Sequence, residues 1–288
     1  MSGRIAVPAN GYSDTPAPAV RTTRNLTEIL NILETRRLAA ATAYACLDPR
    51  IFSQTTGYVA NSPGQPALLL HAGGSPGASL YALGPTAGIL AILREVSVPR
   101  YSYITYEAAH EHLIKQHFVL HGVQPLARMA VSSSTFRPIP SPATALGPID
   151  LGQANALYRS GGGAPISQRY LNEGKYFGIW EGEKLVSIAG TQLISERHGI
   201  AVVANVFTHP SYRNKGYATQ CVGTLTGALL ASVPDVVLNV DPENTPAVRS
   251  YTRLGYTEQC RLAEAWAVWK GRSALDKILR FLYDWLIR

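Results

Sequence analysis

The sequence predicts an α/β protein with a mixed sheet, built in two parts, and three observations lead to that fold class. Strand-like and helical periodicities alternate along the chain, and in the second half the order is strand, helix, strand, helix, strand. Hydrophobic residues make up 46% of the 288 residues and charged residues only 16%, which predicts a buried core and argues against a disordered or coiled-coil protein. Residues 138–152 are rich in Pro and Gly and carry little charge, as is typical of a junction between domains.

These observations divide the chain into four segments. Residues 1–24 are rich in Pro, Ser, Thr and Gly, lack the apolar core of a signal peptide, and are predicted to be a flexible tail. Residues 25–134 are predicted to form a smaller α/β domain and residues 135–270 a second domain. Residues 271–288 repeat Leu, Ile and Trp on one helical face, which predicts an amphipathic helix that docks on the body, on a second subunit or on a membrane surface.

In the first half, helical and strand-like segments are mixed. Helical periodicity extends from Asn25 to about Ala45 and returns in "PTAGILAILREV" and in "AAHEHLIKQHFVLHG", where it is expected to stop at Gly122. Strands are predicted in "RYSYITYEA", in "PLARMAVSSSTFRPI" and, as a pair joined by a turn, in "PALLLHAGGSPGASLYAL".

In the second half, the order of elements is clearer. Helices are predicted in "IDLGQANALYRS" and "ISQRYLNEG", followed by the hairpin "YFGIWEGEKLVSIAGTQLIS". Next come the strand "GIAVVANVFT", the helix "YATQCVGTLTGALLAS", the buried strand "DVVLNV", the helix "TPAVRSYTRLG" and the strand "YTEQCRLAEAWAVW". The last of these helices is expected to begin with Thr245 as its N-cap and to stop at Gly255.

Charge and cysteine content limit the partners and the location. The net charge of +7 suits an anionic ligand such as a nucleotide, a nucleic acid or an acidic membrane, without choosing among them. No run of about 18 apolar residues occurs, so no membrane span is predicted. Cys46, Cys221 and Cys260 form no CxxC pair, so we expect neither a disulfide framework nor a metal site. Few cysteines favour the reducing cytoplasm as the location.

A basic loop stands where a strand gives way to a helix. Arg213-Asn214-Lys215-Gly216 comes shortly after the strand that ends before His209-Pro210. A helix N-terminus carries unpaired backbone N–H groups and the positive end of the helix dipole, and Gly lets a ligand approach the backbone. With two cationic side chains, these features predict a phosphate or pyrophosphate site. The loop matches neither the Walker A nor the Rossmann pattern, and taken alone it fits an ordinary basic turn equally well.

The surroundings of this loop carry a resemblance to a known family. "VFTHPSYRNKGYA" is similar to the central motif of the GCN5-related N-acetyltransferases (GNAT), in which a strand and a Pro turn precede Arg/Gln-x-x-Gly-x-Gly/Ala and a helix. About 30 residues later, Asn244, Tyr251 and the Leu-Gly-Tyr at 254–256 resemble the next motif of the family. Two motifs in the right order are more specific than either alone, and the resemblance covers residues 136–270.

The resemblance implies a GNAT-like acetyltransferase fold in the second half, with acetyl-CoA as co-substrate and no metal. The end of the strand would pair with the pantetheine arm through Val206, Phe207 and Thr208. The pyrophosphate would be held by the loop and the first helical turn, that is by Arg213, Asn214, Lys215, Gly216, Tyr217, Ala218 and Thr219. Asn244 would bind the pantetheine, and Tyr251 would protonate the leaving thiolate, unless it packs as an ordinary helix residue.

The implied activity is transfer of an acetyl group to a primary amine of a small molecule, an amino acid or a peptide, directly in a ternary complex. One alternative is a non-catalytic acyl-CoA-binding sensor or scaffold, which the lack of an evident carboxylate base favours. Another is a nucleic-acid-binding protein, which rests on the charge alone and is not expected, because no recognition motif supports it. The apolar stripe of residues 271–288 is compatible with a homodimer.

The sequence leaves the general base open. Members of the family often have a Glu in one of the two strands beside the loop helix, where this chain has Asn205 and Asn239. The alternatives that the sequence offers are a chain of water molecules, Glu173, Glu196, His198 or His209.

Two further interpretations concern residues outside the motifs. Cys221 has no visible base beside it and is expected to be a small packed residue rather than a nucleophile. The first half lacks both motifs, so it is interpreted as a degenerate, cofactor-free GNAT-like copy or as a different small α+β domain. Either could shape the acceptor pocket at the domain boundary.

Overall fold

The computed structural model describes residues 18–61, 65–73 and 78–271, which fold around one 12-stranded mixed sheet. The strand order is β1-β2-β3-β4-β5-β12-β6-β11-β10-β9-β8-β7. The strands are β1 (Val20–Thr23), β2 (Thr55–Asn61), β3 (Pro66–Ala72), β4 (Ala78–Leu83), β5 (Tyr101–Glu107), β6 (Phe118–Ser132), β7 (Thr144–Ala145), β8 (Phe177–Glu181), β9 (Lys184–Ser195), β10 (Ile200–Thr208), β11 (Asp235–Val240) and β12 (Thr257–Trp269). The predicted fold class is confirmed.

Helices cover both faces of the sheet. The α-helices are α1 (Leu26–Glu34), α2 (Pro49–Phe52), α3 (Thr86–Glu95), α4 (Glu111–His117), α5 (Leu151–Arg159), α6 (Gln168–Glu173), α7 (Tyr217–Leu230) and α8 (Thr245–Arg253). Short 3₁₀ segments lie at Ala41–Leu47, Ala108–His110, Pro148–Asp150, Glu196–His198 and Pro210–Tyr212.

The two halves of the chain repeat one pattern of pairing. In the first half, β2, β3 and β4 are antiparallel, and β4 then pairs with β5 in parallel after the crossover helix α3. In the second half, β8, β9 and β10 are antiparallel, and β10 pairs with β11 in parallel after α7. Parallel neighbours need such a crossover connection. The repeat supports the interpretation of the first half as a copy of the second.

The halves exchange strands at the centre of the sheet. β6 comes from the first half, yet it lies between β11 and β12, so that Arg128 is paired with Asn239 on one side and with Cys260 on the other. β12 comes from the second half and pairs with β5, for example at Ala265 and Ile104. The boundary predicted at residues 134 and 135 therefore does not separate two independent sheets.

Side chains on the two faces of the sheet enter different cores. On one face, Ile200 and Val237 pack with Ile29 and Leu33 of α1. On the other face, Leu238 of β11 belongs to the core that contains α7. Alternate residues of a strand point to opposite faces, so β11 contributes to both cores. Burying such an aliphatic side chain stabilises the fold by about 1.5–3 kcal/mol.

Three predicted boundaries differ from the structure. The first helix ends at Glu34 and not near Ala45, because turns and a 3₁₀ segment follow it. The helix expected to reach Gly122 ends at His117, since the next residues pair with β12 and tertiary pairing overrides local periodicity. Within the predicted tail, Val20–Thr23 form a strand beside β2. The predicted C-terminal helix lies, apart from residue 271, outside the described residues.

Candidate functional site

A gap opens between the parallel strands β10 and β11. Their pairing runs from Ile200 beside Asp235 to Val203 beside Leu238 and continues no further among the described pairs. Beyond that point β10 carries a bulge, because its register with β9 shifts between Ala204 and Phe207. A bulge leaves extra residues unpaired and re-aims the strand. In contrast, β4 and β5 of the first half pair over the whole of residues 78–82, so the corresponding place there is closed.

The bulge is held in an unusual conformation. Asn205 has a φ of +55°, a left-handed conformation that costs a non-Gly residue free energy unless its neighbours enforce it. Its carbonyl oxygen accepts a hydrogen bond of 2.7 Å from the hydroxyl of Tyr158 in α5. Its Nδ2 donates a hydrogen bond of 2.7 Å to the hydroxyl oxygen of Tyr176. Asn205, one of the two asparagines considered in place of a base, is thus part of the scaffold of the bulge.

The gap forms a cavity of about 340 Å³ whose wall includes Tyr251, Val206 and Asn244. Tyr251 lies in α8 and is only 7% exposed. Burial raises the pKa of its hydroxyl to about 12, and no hydrogen bond of this hydroxyl is found within the described ranges. The structure therefore brings the predicted acid, one pantetheine residue and the predicted Asn to one cavity.

The other two strand residues of the predicted site lie just past the bulge. Phe207 is paired with Ile188 and Thr208 with Ser187 of β9. The Thr208 and Ser187 hydroxyls are 2.8 Å apart. A Cβ on Gly161 would stand 2.2 Å from the Phe207 ring, so this glycine permits the close approach of the ring to the end of α5.

The basic loop ends in an open helix N-terminus. Gly216 is the N-cap of α7 with a φ of +81°, and Asn214 is left-handed too, with a φ of +63°. Throughout the described chain, the backbone N–H groups of residues 214–219 form no backbone hydrogen bond, and the first bond back to the cap comes from Gln220. A Cβ built on Gly216 would meet nothing within 4 Å. The predicted residues Tyr217, Ala218 and Thr219 are thus the first helical turn, with free donors.

The two cations of the loop rest on aromatic rings. The Arg213 guanidinium is 6.0 Å from the centre of the Phe207 ring, and the Lys215 Nζ is 4.9 Å from that of Tyr212. The Tyr217 hydroxyl donates to the Glu181 carboxylate. The loop thus presents two positive side chains and free N–H donors together.

The structure corrects the predicted start of α8. Asn244, and not Thr245, is the N-cap, because its Oδ1 accepts a hydrogen bond of 3.2 Å from the Ala247 N–H. Asn244 lines the cavity, and its amide nitrogen donates no hydrogen bond among the described residues. One side chain thus fixes the start of α8, the helix that carries Tyr251.

A larger cavity of about 820 Å³ lies between the two halves of the chain. One wall is a chain of ion pairs from α2 to α6. Arg50 contacts Asp48 at 2.7 Å and Glu173 at 3.3 Å, and Glu173 contacts Arg169 at 2.8 Å. Gln192 lines both this cavity and the gap, so the two spaces share a wall residue on β9.

The residues that the sequence offered as candidates for the general base do not lie together at one site. Glu173 is held by the arginines of the larger cavity, and His198, whose pKa is lowered by burial, lies on another of its walls beside Glu196. His209 accepts at Nδ1 from the Ser211 N–H and caps a turn.

Cys221 is buried, which raises the pKa of its thiol to about 12. The structure agrees with the interpretation of Cys221 as a packed residue, because a thiol with so high a pKa is a poor nucleophile.

Sequence reasoning missed Arg128 of β6. Its side chain is fully buried, its Nε donates a hydrogen bond of 2.6 Å to Asn239 Oδ1, and its Nη1 donates to the Leu38 carbonyl oxygen at 3.1 Å. Burial lowers the pKa of Arg128. Asn239 lines the gap. The alternation of "PLARMAVS" gave no signal for this, because an Arg between apolar residues resembles a solvent-facing position.

A metal-binding cluster and a membrane-spanning helix are both absent from the described residues. No group of three or more His, Cys, Asp or Glu residues placed to hold a metal ion occurs in the part that the structure describes. None of the helices described is both long and apolar enough to cross a membrane.

Comparisons with known proteins agree with this geometry. Residues 154–256 match the family described as "Acetyltransferase (GNAT) family". A Drosophila protein of known structure superposes with a TM-score of 0.63 at 10% identity, over 89% of this chain and all of that one. A GCN5-related N-acetyltransferase from Sphaerobacter thermophilus has a TM-score of 0.54 at 16% identity, over 89% of this chain and 98% of that one. Another from Kribbella flavida has a TM-score of 0.54 at 17% identity, over 80% of this chain and 94% of that one.

These structural likenesses concern the fold, since the identities are low. No curated protein sequence matches the chain significantly. The matched range includes the bulge, the basic loop, Asn244 and Tyr251. Over residues 154–256, the part of the chain that holds these features, the sequence thus matches the GNAT acetyltransferase family.

Proposed function

We propose that this protein is an acetyl-CoA-dependent N-acetyltransferase that moves an acetyl group to a primary amine by direct transfer in a ternary complex. The observation that carries the proposal is the gap between β10 and β11. It joins a bulged strand edge and a buried tyrosine, Tyr251, in one cavity. The open helix N-terminus at Gly216 follows the same strand along the chain.

The loop fits the diphosphate of a CoA thioester. Free N–H groups at residues 214–219, the open space at Gly216 and the cations Arg213 and Lys215 are the donor set that such an anion needs. The bulge at Val206 leaves backbone groups free to bind the pantetheine arm and the thioester carbonyl oxygen as it gains negative charge. The Asn244 amide would donate to the pantetheine.

Tyr251 supplies the acid. Its pKa of about 12 keeps the hydroxyl protonated near neutral pH, so it has a proton to donate to the thiolate that leaves as the new amide forms. The acceptor amine has to arrive deprotonated. Among the described residues that line the gap, Asp241 is the single carboxylate, and its Oδ1 accepts a hydrogen bond of 2.9 Å from the Glu243 N–H.

The larger cavity is the proposed acceptor site. It lies on the α1 side of the sheet, where Tyr44 and Leu193 contribute both to its wall and to the core that α1 covers. Tyr251 belongs to the core on the opposite face. An amine that passes Gln192 would therefore reach the gap from the side opposite the proposed acid, which leaves the thiolate side free.

The test is calorimetric titration of acetyl-CoA and of CoA into the wild type and Gly216→Trp. We expect micromolar binding in the wild type and its loss in the variant, because a large side chain there blocks the approach to the loop. Gly122→Trp is the matched control: Gly122 also has a positive φ, +63°, with nothing within 4 Å of a Cβ, but it lies in β6 of the first half. Equal loss in both variants, or no binding to the folded wild type, contradicts the proposal.

A sensor or scaffold that holds acyl-CoA without turnover is the second candidate. The observation in its favour is that Asn205 and Asn239, which cannot take a proton, stand beside the gap. Release of free CoA thiol, followed with a panel of primary amines, separates the two. Binding of acetyl-CoA without release from any amine favours the sensor.

A further inference from the structure

Arg128 brings a buried positive charge from the first half to the gap of the second half. It is the largest fully buried side chain of the described residues. Of its three nitrogens, Nε donates to the neutral amide oxygen of Asn239, Nη1 donates to the carbonyl oxygen of Leu38, and Nη2 has no partner in the described chain. Arginine keeps its charge in proteins, so this guanidinium is charged and its hydrogen bonds are incomplete.

No described carboxylate forms an ion pair with Arg128. The carboxylate that acts on it electrostatically is Glu264, which instead accepts hydrogen bonds from Tyr103 at 3.0 Å and Thr105 at 3.3 Å. Cys260 and Tyr81 are the other titratable groups that act on Arg128. A buried charge without a direct counter-charge is costly and acts strongly on charges nearby, because the surroundings screen it little.

The hydrogen bond to Arg128 fixes the orientation of the Asn239 amide. The Arg128 Nε can only donate, so the atom 2.6 Å away must be the Asn239 oxygen. The amide nitrogen of Asn239 therefore points away from Arg128, and no hydrogen bond from it is found among the described residues. Asn239 lines the gap and offers a donor there, not an acceptor.

The Asn239 donor stands on the acceptor side of the sheet. Val237, two residues before it, packs in the core of α1, and Leu238 packs in the core of α7 with Tyr251. Since the side-chain period of a strand is two, Asn239 shares the face of Val237 and not that of Tyr251. The bond from Arg128 to the carbonyl after α1, at Leu38, places the pair on the same face.

The larger cavity, through which the acceptor would reach Asn239, also carries positive side chains. The larger cavity is lined by Arg50, Arg169 and Arg197, against the two carboxylates Asp48 and Glu173. The first two arginines are paired with those carboxylates. No ion pair of Arg197 occurs in the described ranges, so one cation of the wall lacks a counter-charge.

From these observations we propose that the acceptor is an amine that carries a carboxylate beside it, and that Asn239, positioned by Arg128, donates a hydrogen bond to that carboxylate. The inference rests on the proposed acyltransferase function and names its substrate class. The donor matches an oxygen, and the buried charge of Arg128 favours an anionic group over a neutral one. The same charge disfavours an ammonium near it, so an amine is bound preferentially in the neutral form that attacks the thioester.

The proposal gives the first half a role in the reaction. Arg128 belongs to β6, which the strand exchange places between β11 and β12. Arg128 itself is fully buried and touches no substrate. It is a positioning residue, and Asn239 is the residue that meets the acceptor.

The experiment compares acceptors that differ only in the carboxylate. Wild-type enzyme with acetyl-CoA is given pairs of an amino acid and its carboxamide, with small and with aromatic side chains, and release of CoA thiol is followed. We expect a kcat/KM at least about tenfold higher for the amino acid in the best pair. The amino group of the carboxamide loses its proton more readily than that of the amino acid, so more of it is in the reactive neutral form. This difference favours the carboxamide, so it cannot explain a preference for the amino acid.

Asn239→Asp is the decisive variant. An aspartate keeps a partner for Arg128 and gives it a counter-charge, so a purely structural role predicts unchanged or higher thermal stability and unchanged kinetics. The proposal predicts the same stability but a loss of the preference for the carboxylate, since the donor and the uncompensated charge are both gone. The KM for the amino acid rises, and the KM for acetyl-CoA does not. Arg128→Met should also abolish the preference, if it folds.

The outcomes separate the inference from the function beneath it. No binding of acetyl-CoA to the wild type contradicts the acyltransferase itself. Binding and turnover without a preference for carboxylates, or an Asn239→Asp variant with wild-type kinetics, overturn the inference alone. A marked fall in melting temperature for Asn239→Asp also overturns it, because Arg128 would then have no need of a counter-charge. Binding without turnover of any pair overturns the inference, and it contradicts the acyltransferase as well when the wider panel of primary amines also releases no CoA thiol.

Discussion

The Tyr158 hydroxyl donates a 2.7 Å hydrogen bond to the carbonyl oxygen of Asn205, and this bond ties α5 to the bulge of β10. Asn205 has a φ of +55°, and such strain persists only where the surroundings enforce it. Tyr158 is buried in a core with Leu157 and Ile188, so its hydroxyl is fixed in place. The shape of the proposed acyl site therefore depends on a helix that does not line the gap.

Tyr158→Phe should weaken this support without emptying the core. We expect a loss of about 1 kcal/mol in the free energy of unfolding, as for one neutral hydrogen bond. The KM for acetyl-CoA should rise several-fold, because the bulge is no longer held. Urea unfolding and initial rates measure the two effects. The control is Tyr103→Phe, which removes a hydroxyl of the first half that donates to Glu264 of β12. It should change stability without changing that KM.

Tyr251→Phe should lower kcat by about 100-fold or more, which is the usual contribution of a general acid. The KM for acetyl-CoA should change little, because the ring and its packing remain. The matched control is Tyr256→Phe: Tyr256 is a buried neighbour with its ring 6.1 Å away, and its hydroxyl contacts that of Thr226 at 2.8 Å. It should lose stability and keep its turnover. Equal kcat for Tyr251→Phe and the wild type would show that Tyr251 only packs.

The pH dependence of kcat follows from the buried hydroxyl of Tyr251. Burial raises its pKa to about 12, so the proton-donating form is present below that pH and is lost only above it. Turnover should therefore rise as the acceptor amine loses its proton and then stay level up to about pH 10, since an acid works only while protonated. A fall in wild-type kcat with a midpoint below pH 10 that disappears in Tyr251→Phe would contradict the burial argument.

Local patterns were sufficient for much of the candidate site. The glycine after two cations predicted an open helix start, and the structure has Gly216 as the N-cap of α7. The spacing of Asn244 and Tyr251 placed both on one helix beside a buried strand, and both line the gap. Their roles toward acetyl-CoA stay predictions. Such motifs work because loop, cap and helix are contiguous in sequence.

Long-range pairing could not be predicted in this way. The place of β6 between β11 and β12 depends on contacts between residues over 100 positions apart, for example Arg128 and Asn239. The larger cavity likewise joins α2 to α6 through Arg50 and Glu173. Neither leaves a periodic signal. The sequence also predicted the ends of two helices too late, because tertiary contacts decide where a weak helix stops. The structure ends these helices at Glu34 and His117.

The Asn244 side chain has an oxygen that caps α8 and an amide nitrogen proposed to bind acetyl-CoA. Two variants separate the effects of these two groups. Asn244→Ala removes the cap of α8 and should cost about 1 kcal/mol of unfolding free energy. Asn244→Asp keeps the oxygen that accepts from the Ala247 N–H, so its stability should match the wild type. Both lose the amide donor at the gap, and both should bind acetyl-CoA more weakly by calorimetry. Wild-type affinity in Asn244→Asp would restrict Asn244 to a role as a cap.

His110 should make the first half sensitive to acid. Its ring is 1% exposed, Nε2 lies 2.9 Å from the Gly84 carbonyl oxygen, and Nδ1 has no partner within the described residues. Burial lowers its pKa, although the nearby Glu107 acts the other way. The unfolded chain therefore takes up a proton near pH 6.5 that the folded chain refuses. Stability is full above that pH and falls as the pH drops below it.

The measurement is urea unfolding of the wild type and His110→Gln between pH 5 and 8. Glutamine keeps an N–H donor for the Gly84 carbonyl but does not titrate, so the variant should lose less stability than the wild type on going from pH 8 to 5. His71 and His198 also have pKa values lowered by burial, so a part of the slope should remain. His121→Gln, at an exposed position of β6, should keep the wild-type slope. If His110→Gln keeps it as well, folding does not shift the pKa of His110 and the burial argument for it is wrong.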